Sequence, residues 1–199
     1  MSSELPLVAA YADESCLGNG KDGDNPGGAG VLIEYRRPSG AIERRDVWVS
    51  ERATTNNRMA LQSVIETFRS LKKPARVVFT SDSRYLIDGL TEWVFGWAAR
   101  GWKRKTGAIE NLELWHEAIA AVSEGDHRVA WRWVKGHNGH PQNEYANHLA
   151  TRAAADQSAS EGIVTSGFDA WLGTQKKLHP LAEFPDAKAF VASRALPRR

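Results

Sequence analysis

Three short apolar runs precede any helical pattern in this chain: residues 5–13 (LPLVAAYAD), 29–35 (AGVLIEY) and 42–49 (IERRDVWV). Each has the length of a strand. The loop GNGKDGDNPGG separates the first two, and Ser39-Gly40 and Ser50 bound the third. From Asn56 the period changes: Leu61, Val64, Ile65, Phe68 and Leu71 fall at helical spacing behind the capping types Thr54, Thr55 and Asn56. ARVVFTSD (75–82) is a fourth strand candidate, SRYLIDGLTEWVFGWAARGW and IENLELWHEAIAAV are helical, and RVAWRWVK (128–135) is a fifth strand. After the GHNGHP turn, Pro141 opens a helix whose inner face holds Tyr145 and Leu149. An antiparallel meander followed by strands reached through helices implies an α/β fold with a mixed, five-stranded sheet and helices packed on it.

The 199 residues suffice for one well-buried domain and not for two ordinary ones. The pattern weakens after Ala155, which places a domain at residues 1–156 and a C-terminal extension at 157–199. Trp171, Leu172, Phe184 and Phe190 imply that this extension docks on the domain or on a partner. No apolar run approaches the roughly 20 residues of a membrane helix. MSSELPLVAAYADES lacks a basic region ahead of its apolar part, so the expectation is a cytoplasmic protein with no membrane association. The single Cys16 excludes an internal disulfide. Residues 157–199 hold six Lys or Arg against four Asp or Glu, which leaves the first 156 balanced at twenty of each. Attraction to a polyanion therefore rests on local patches, and ARGWKRKTG supplies one, with Arg100, Lys103, Arg104 and Lys105 unrelieved by any acid.

Asp13 and Asp82 stand at the C-terminal ends of the first and fourth strand candidates. In open sheets ligands bind beyond the C-terminal ends of parallel strands where strand order switches. If these two strands are neighbours, the carboxylates converge, repel, and call for a divalent cation. The alternative is that each caps the element that follows it.

Six strings, YADESCLGNG, TTNNRMALQ, TSDSRYL, EWVFGW…RGWK, ENLELW and WVKGHNGHPQNE, occur in order along about 145 residues. In sequence and spacing they resemble type I ribonuclease H. The resemblance implies a ribonuclease H-like sheet with helices on both faces and endonucleolytic cleavage of the RNA strand of RNA–DNA hybrids. It also implies a four-carboxylate site for two Mg²⁺ ions, with Mn²⁺ as a substitute, no organic cofactor, and a monomer. Asp13 matches the first family carboxylate and Asp82 the third. The second, a Glu on the first helix, is replaced here by Ala60, and the fourth, an Asp on the last helix, by Asn147. Asn147 retains a carbonyl oxygen of similar reach; Ala60 retains nothing. Where the family has Gly after its first Asp, this chain has Glu14. Glu14 either supplies the missing ligand or, if the strand continues, aims to the opposite face. Glu51, Glu66 and Glu144 read as solvated surface charges.

By the same resemblance, His137 assists proton transfer or product release. Asn19, Asn56 and Asn57 contact the minor groove and 2′-hydroxyls, while Thr55 and Asn111 hold a DNA phosphate. Arg84, where the family often has Gln, adds a phosphate contact. Trp93, Trp97 and Trp102, with Arg100, Lys103, Arg104 and Lys105, resemble a basic protrusion that grips the DNA strand; Trp97 fits a helix core equally well. Two functions follow: a divergent, metal-dependent nuclease with a modified ligand set, or an inactive relative that binds hybrid or double-stranded RNA without cutting.

Overall fold

The structure, a computed structural model, describes residues 5–18, 25–136, 138–176 and 179–197. Its sheet comprises β1 (Leu7–Cys16), β2 (Gly27–Arg36), β3 (Ile42–Glu51), β4 (Arg76–Ser81), β5 (Arg128–Trp133) and β6 (Val164–Thr165), in the order β5-β4-β1-β2-β3-β6. β1 runs parallel to β4, and β4 to β5; the other pairs are antiparallel. The sixth strand, two residues long, comes from the C-terminal extension and was absent from the five-stranded expectation.

Alternation along β1 sorts the core. Val8, Ala10 and Ala12 face a layer built by α1 (Asn56–Ser70) and α4 (Leu112–Glu124), while Ala9 and Tyr11 face α5 (Pro141–Asp156). α1 begins where Thr55 Oγ1 accepts the Arg58 N–H at 3.3 Å, and α5 where Pro141 follows His140, whose Nδ1 accepts the Asn143 N–H at 3.3 Å. Between β4 and α4 lie α2 (Arg84–Asp88), one wide π turn over Gly89–Trp93, and α3 (Val94–Ala99). At Gly89 a Cβ would lie 2.0 Å from the Trp115 ring, so the turn wraps the indole with no side chain between.

Gly28 and Gly30 let α5 press onto β2. A Cβ on Gly30 would lie 2.4 Å from the Ala146 carbonyl and 2.6 Å from the Ala150 nitrogen, both backbone atoms that cannot yield cheaply. Gly30 pairs with Asp13, so both residues point to the α5 face, and the close approach of α5 brings Asn143 onto Asp13. Gly30→Ala is expected to destabilise the fold by about 3 kcal/mol in thermal or urea unfolding.

The extension follows the sheet from one edge to the other. Ser160 and β6 pair along β3, and Phe168 is fully buried against Tyr145 and Leu149. Phe184 and Phe190 pack over Leu7, Val78 and Ala130 on the α5 face. Beyond them the Ser193 N–H donates to the Val129 carbonyl at 2.8 Å, and Ser193 Oγ accepts the Trp131 N–H at 3.2 Å. Both ends of the sheet that would otherwise present unpaired strand edges are thus partly covered.

Candidate active site

The pairing of β1 with β4 stops at Ala12 and Ser81, whereas β1 continues with β2 as far as Cys16. Asp13 and Glu14 therefore lie on a stretch of β1 with no strand beside it on the β4 side. Alternation sends Asp13 to the α5 face and Glu14 to the α1 face. Both carboxylates nevertheless meet Asp82 past the end of β4: one ligand oxygen from each of Asp13, Glu14 and Asp82 lies within 4.8 Å of the others. The strand has not ended at Glu14, contrary to the condition set from the sequence. What lets the side chain round the edge is the end of the neighbouring strand.

Local hydrogen bonds hold this triad. Asp13 Oδ1 accepts the Glu14 N–H at 2.7 Å, and its Oδ2 accepts from the Asn143 amide at 3.3 Å; the same amide donates to the Ala12 carbonyl. The Ser83 hydroxyl bonds the Glu14 carboxylate. Gly136 packs directly on the Asp82 carboxylate, so a side chain at this loop position would push Asp82 out of its present place.

The electrostatics follow from burial and like charge. Asp13 is 5% exposed, and burial first, then the charge of Asp82, push its carboxyl up to about 8. Glu14 is driven well above the usual carboxylate range by burial, with Asp13 and Asp82 adding to it. Three converging carboxyl groups, all hard oxygen donors and two of them held back from ionisation by burial and by their acidic neighbours, match a divalent cation of the Mg²⁺ class better than any internal counter-charge.

Ala60 is fully buried in the apolar cluster with Ala12, Leu61 and Leu86, and offers no oxygen. Asn147 is half-buried on α5, four residues beyond Asn143 and hence on the same side of the helix. Asn143, missed from the sequence, was signalled by that spacing. Glu144 is not a free surface charge: it accepts the Gly139 N–H at 3.3 Å and adds repulsion at Asp13. Nor is Glu51, which accepts from Thr54, Arg58 and Gln62 and so ties β3 to the start of α1. Asn19 and His137 lie outside the described residues.

The groove residues divide. Asn57, Trp93 and Arg104 line one cavity of about 380 Å³ with Tyr85, Trp97, Ile109 and Glu110. Asn111, in a left-handed conformation at the start of α4, donates to the Tyr85 hydroxyl at 3.3 Å and joins the same cluster. Thr55 is exposed and already caps α1, and Asn56 is half-buried with its Oδ1 unpartnered among the described residues. Trp97 is 9% exposed and its ring packs edge-on to Trp115, as a helix-core residue does. Gly101 and Trp102 both adopt positive φ as the chain leaves α3. The Trp102 N–H returns to the Trp97 carbonyl at 2.7 Å, and its ring stands edge-on to His116. That anchor projects Arg100, Lys103, Arg104 and Lys105 into solvent. Arg84, also exposed, stacks on Trp133.

The RNase H family matches residues 6–155 of this chain. A ribonuclease H from Methylococcus capsulatus is 42% identical over 164 residues, spanning 82% of this chain and 99% of its own length. The crystal structure of LC9-RNase H1, a type 1 RNase H with the type 2 active-site motif, is 61% identical and superposes with a TM-score of 0.88 over 99% of this chain and 96% of that one, so the C-terminal extension has a counterpart there. LC11-RNase H1 in complex with RNA/DNA hybrid shares the fold alone, at 15% identity and a TM-score of 0.53 over 75% of this chain and 98% of that one.

Proposed function

Because this chain belongs to the ribonuclease H family, we propose that it hydrolyses phosphodiester bonds in the RNA strand of RNA–DNA hybrids, using divalent metal held by Asp13, Glu14, Asp82 and Asn147. The observation that carries this reading is the convergence of three carboxylates past the end of β4, at the point where strand order switches between β1 and β4. The donor set fits Mg²⁺, with Mn²⁺ as a functional substitute: three acids and one amide carbonyl, all oxygen. Bound there, the metal would neutralise the phosphate and lower the pKa of an attacking water.

The protein's own part is to hold charge and substrate in place. Asn143 orients Asp13 through Oδ2, and Ser83 steadies Glu14. Glu14 takes the place of the carboxylate that Ala60 lacks, reaching the site from the strand instead of from α1. Asn56 and Asn57 face the 2′-hydroxyls that distinguish RNA from DNA. Thr55 and Asn111 hold a DNA phosphate, and the loop from Arg100 to Lys105, with Trp93 beside it, grips the DNA backbone. His137 and Asn19 complete the proton-transfer and minor-groove assignments.

Ala60 favours a second reading, a protein that binds hybrid without cutting it. Cleavage of a labelled hybrid in Mg²⁺ and in Mn²⁺, with Asp82→Asn as the control, separates the two. The expected result is cleavage in Mg²⁺ that Asp82→Asn loses; tight binding with no cleavage in either metal establishes the second reading. Glu14→Gln is expected to lower kcat about 30-fold and to shift the Mg²⁺ dependence to higher concentration. An unchanged Mg²⁺ dependence removes Glu14 from the ligand set.

A further inference from the structure

Trp133 is the last residue of β5 and pairs with Ser81, one step before Asp82. It shares a sheet face with Trp131, which packs on Phe68 and Phe79, but it lies beyond that core and is 39% exposed. Two contacts distinguish it from an incidental surface aromatic. Its indole N–H donates to the Asp82 backbone carbonyl at 2.9 Å, and its ring carries the Arg84 guanidinium 3.8 Å from the centroid. Among the described residues the ionic contact of Arg84 is with Asp88, one turn along α2 and 3.9 Å away, and the arginine side chain is 62% exposed. A guanidinium lying against an aromatic face keeps its in-plane N–H donors available for a bidentate acceptor, and a phosphodiester is such an acceptor.

We propose that Trp133 is a positioning residue for the cleavage reaction. One side of its indole holds the Asp82 backbone, while the ring face holds Arg84 as a phosphate clamp next to the Asp13–Glu14–Asp82 triad. The inference rests on the nuclease reading given above. It differs from a role in packing because it couples two groups, one expected to act in metal binding and the other in substrate binding. The two functions of the indole are separable: a phenyl ring keeps a stacking face and loses the N–H donor. A lysine at position 84 keeps the charge but loses the planar fork.

The test measures hybrid binding by fluorescence anisotropy in EDTA across a salt series, and steady-state cleavage in Mg²⁺, after thermal unfolding has shown each variant folded. Arg84→Ala and Trp133→Ala are each expected to weaken metal-free binding about fivefold to tenfold and to reduce the salt slope by about one. The double variant should be no weaker than either single one, because the two residues act as one unit. Trp133→Phe should keep KM near that of the wild type and lower kcat several-fold, and Arg84→Lys should not restore KM. The proposal is overturned if Trp133→Ala leaves binding unchanged while Arg84→Ala weakens it, if the two losses add, or if Trp133→Phe matches the wild type in kcat. Wild-type protein that neither binds nor cuts the hybrid overturns the nuclease reading itself and so is distinguished from these outcomes.

Discussion

Asp13→Asn is expected to abolish hybrid cleavage, by about a thousandfold or more, and at the same time to make the metal-free protein more stable at neutral pH. Loss of activity follows from removing the acid at the centre of the triad. The gain in stability follows from the direction of its ionisation. Buried beside Glu14 and Asp82, the Asp13 carboxyl is pushed from its ordinary 3.8 up to about 8. Below about pH 4 it is protonated in both folded and unfolded chains and imposes no penalty. Between about pH 4 and 8 the unfolded chain ionises it and the folded chain resists, so the stability of the metal-free protein falls as pH rises and levels off above about 8. At pH 7 the penalty is on the order of 2 to 4 kcal/mol. Asn has the same shape and no charge, which removes the penalty; its single oxygen keeps either the Glu14 N–H or the Asn143 amide bond, and loss of the other offsets part of the gain. A divalent cation offsets the same repulsion, so Mg²⁺ should raise the wild-type unfolding midpoint more at pH 8 than at pH 5, and raise that of Asp13→Asn far less. The measurement is thermal unfolding with EDTA or saturating Mg²⁺ across that range; a variant less stable than the wild type in EDTA at pH 8 contradicts the argument.

The sequence carried the local parts of this site and not the relations between strands. The short apolar runs bounded by turn residues located β1 to β5 to within a few residues, and helical spacing with a polar cap located α1 and α5, because those signals lie inside each segment. Asp13 and Asp82 were legible as strand-end acids for the same reason. The reach of Glu14 was not, since it depends on where β4 stops relative to β1, a register between strands some 60 residues apart. Asn143 and Asn147 sit four apart on one helix, a visible spacing, but only the close approach of α5 over Gly30 turns Asn143 toward Asp13. Trp133 read as one more apolar strand residue; its significance comes from Arg84 and Asp82, on a different element. Glu51 and Glu144 were misjudged because surface charge is the default for a lone Glu, and the partners that bind them come from the turns before α1 and α5 and from the first two turns of α1.

Phe168→Ala is expected to cost about 3 to 4 kcal/mol and to lower the unfolding midpoint by roughly 10 °C, although Phe168 lies outside the family's matched span. The residue is fully buried, edge-on to Tyr145 at 5.2 Å and under the Arg44 guanidinium at 5.0 Å. Around it is a set of charges that needs the extension to stay paired. Arg44 donates to the buried Glu34 at 2.8 Å and to Asp169 of the extension at 2.9 Å. Asp46, 3% exposed, accepts from the Tyr145 hydroxyl at 2.7 Å and from the Gly167 N–H at 3.0 Å. Removing the ring opens a cavity and loosens the helical turn that supplies Gly167 and Asp169, so the apolar loss is compounded by exposure of paired charges. Phe168→Leu, which keeps most of the volume, should lose less than about 1.5 kcal/mol. Ending the chain after Asp156 should lower the midpoint further than Phe168→Ala, because it also strips Phe184 and Phe190 from Leu7, Val78 and Ala130 and the Ser193 hydrogen bonds from β5. An unfolding midpoint that Phe168→Ala leaves in place would show that the extension lies on the sheet without sharing its cooperative unfolding, in which case the truncated chain should melt as the intact one does.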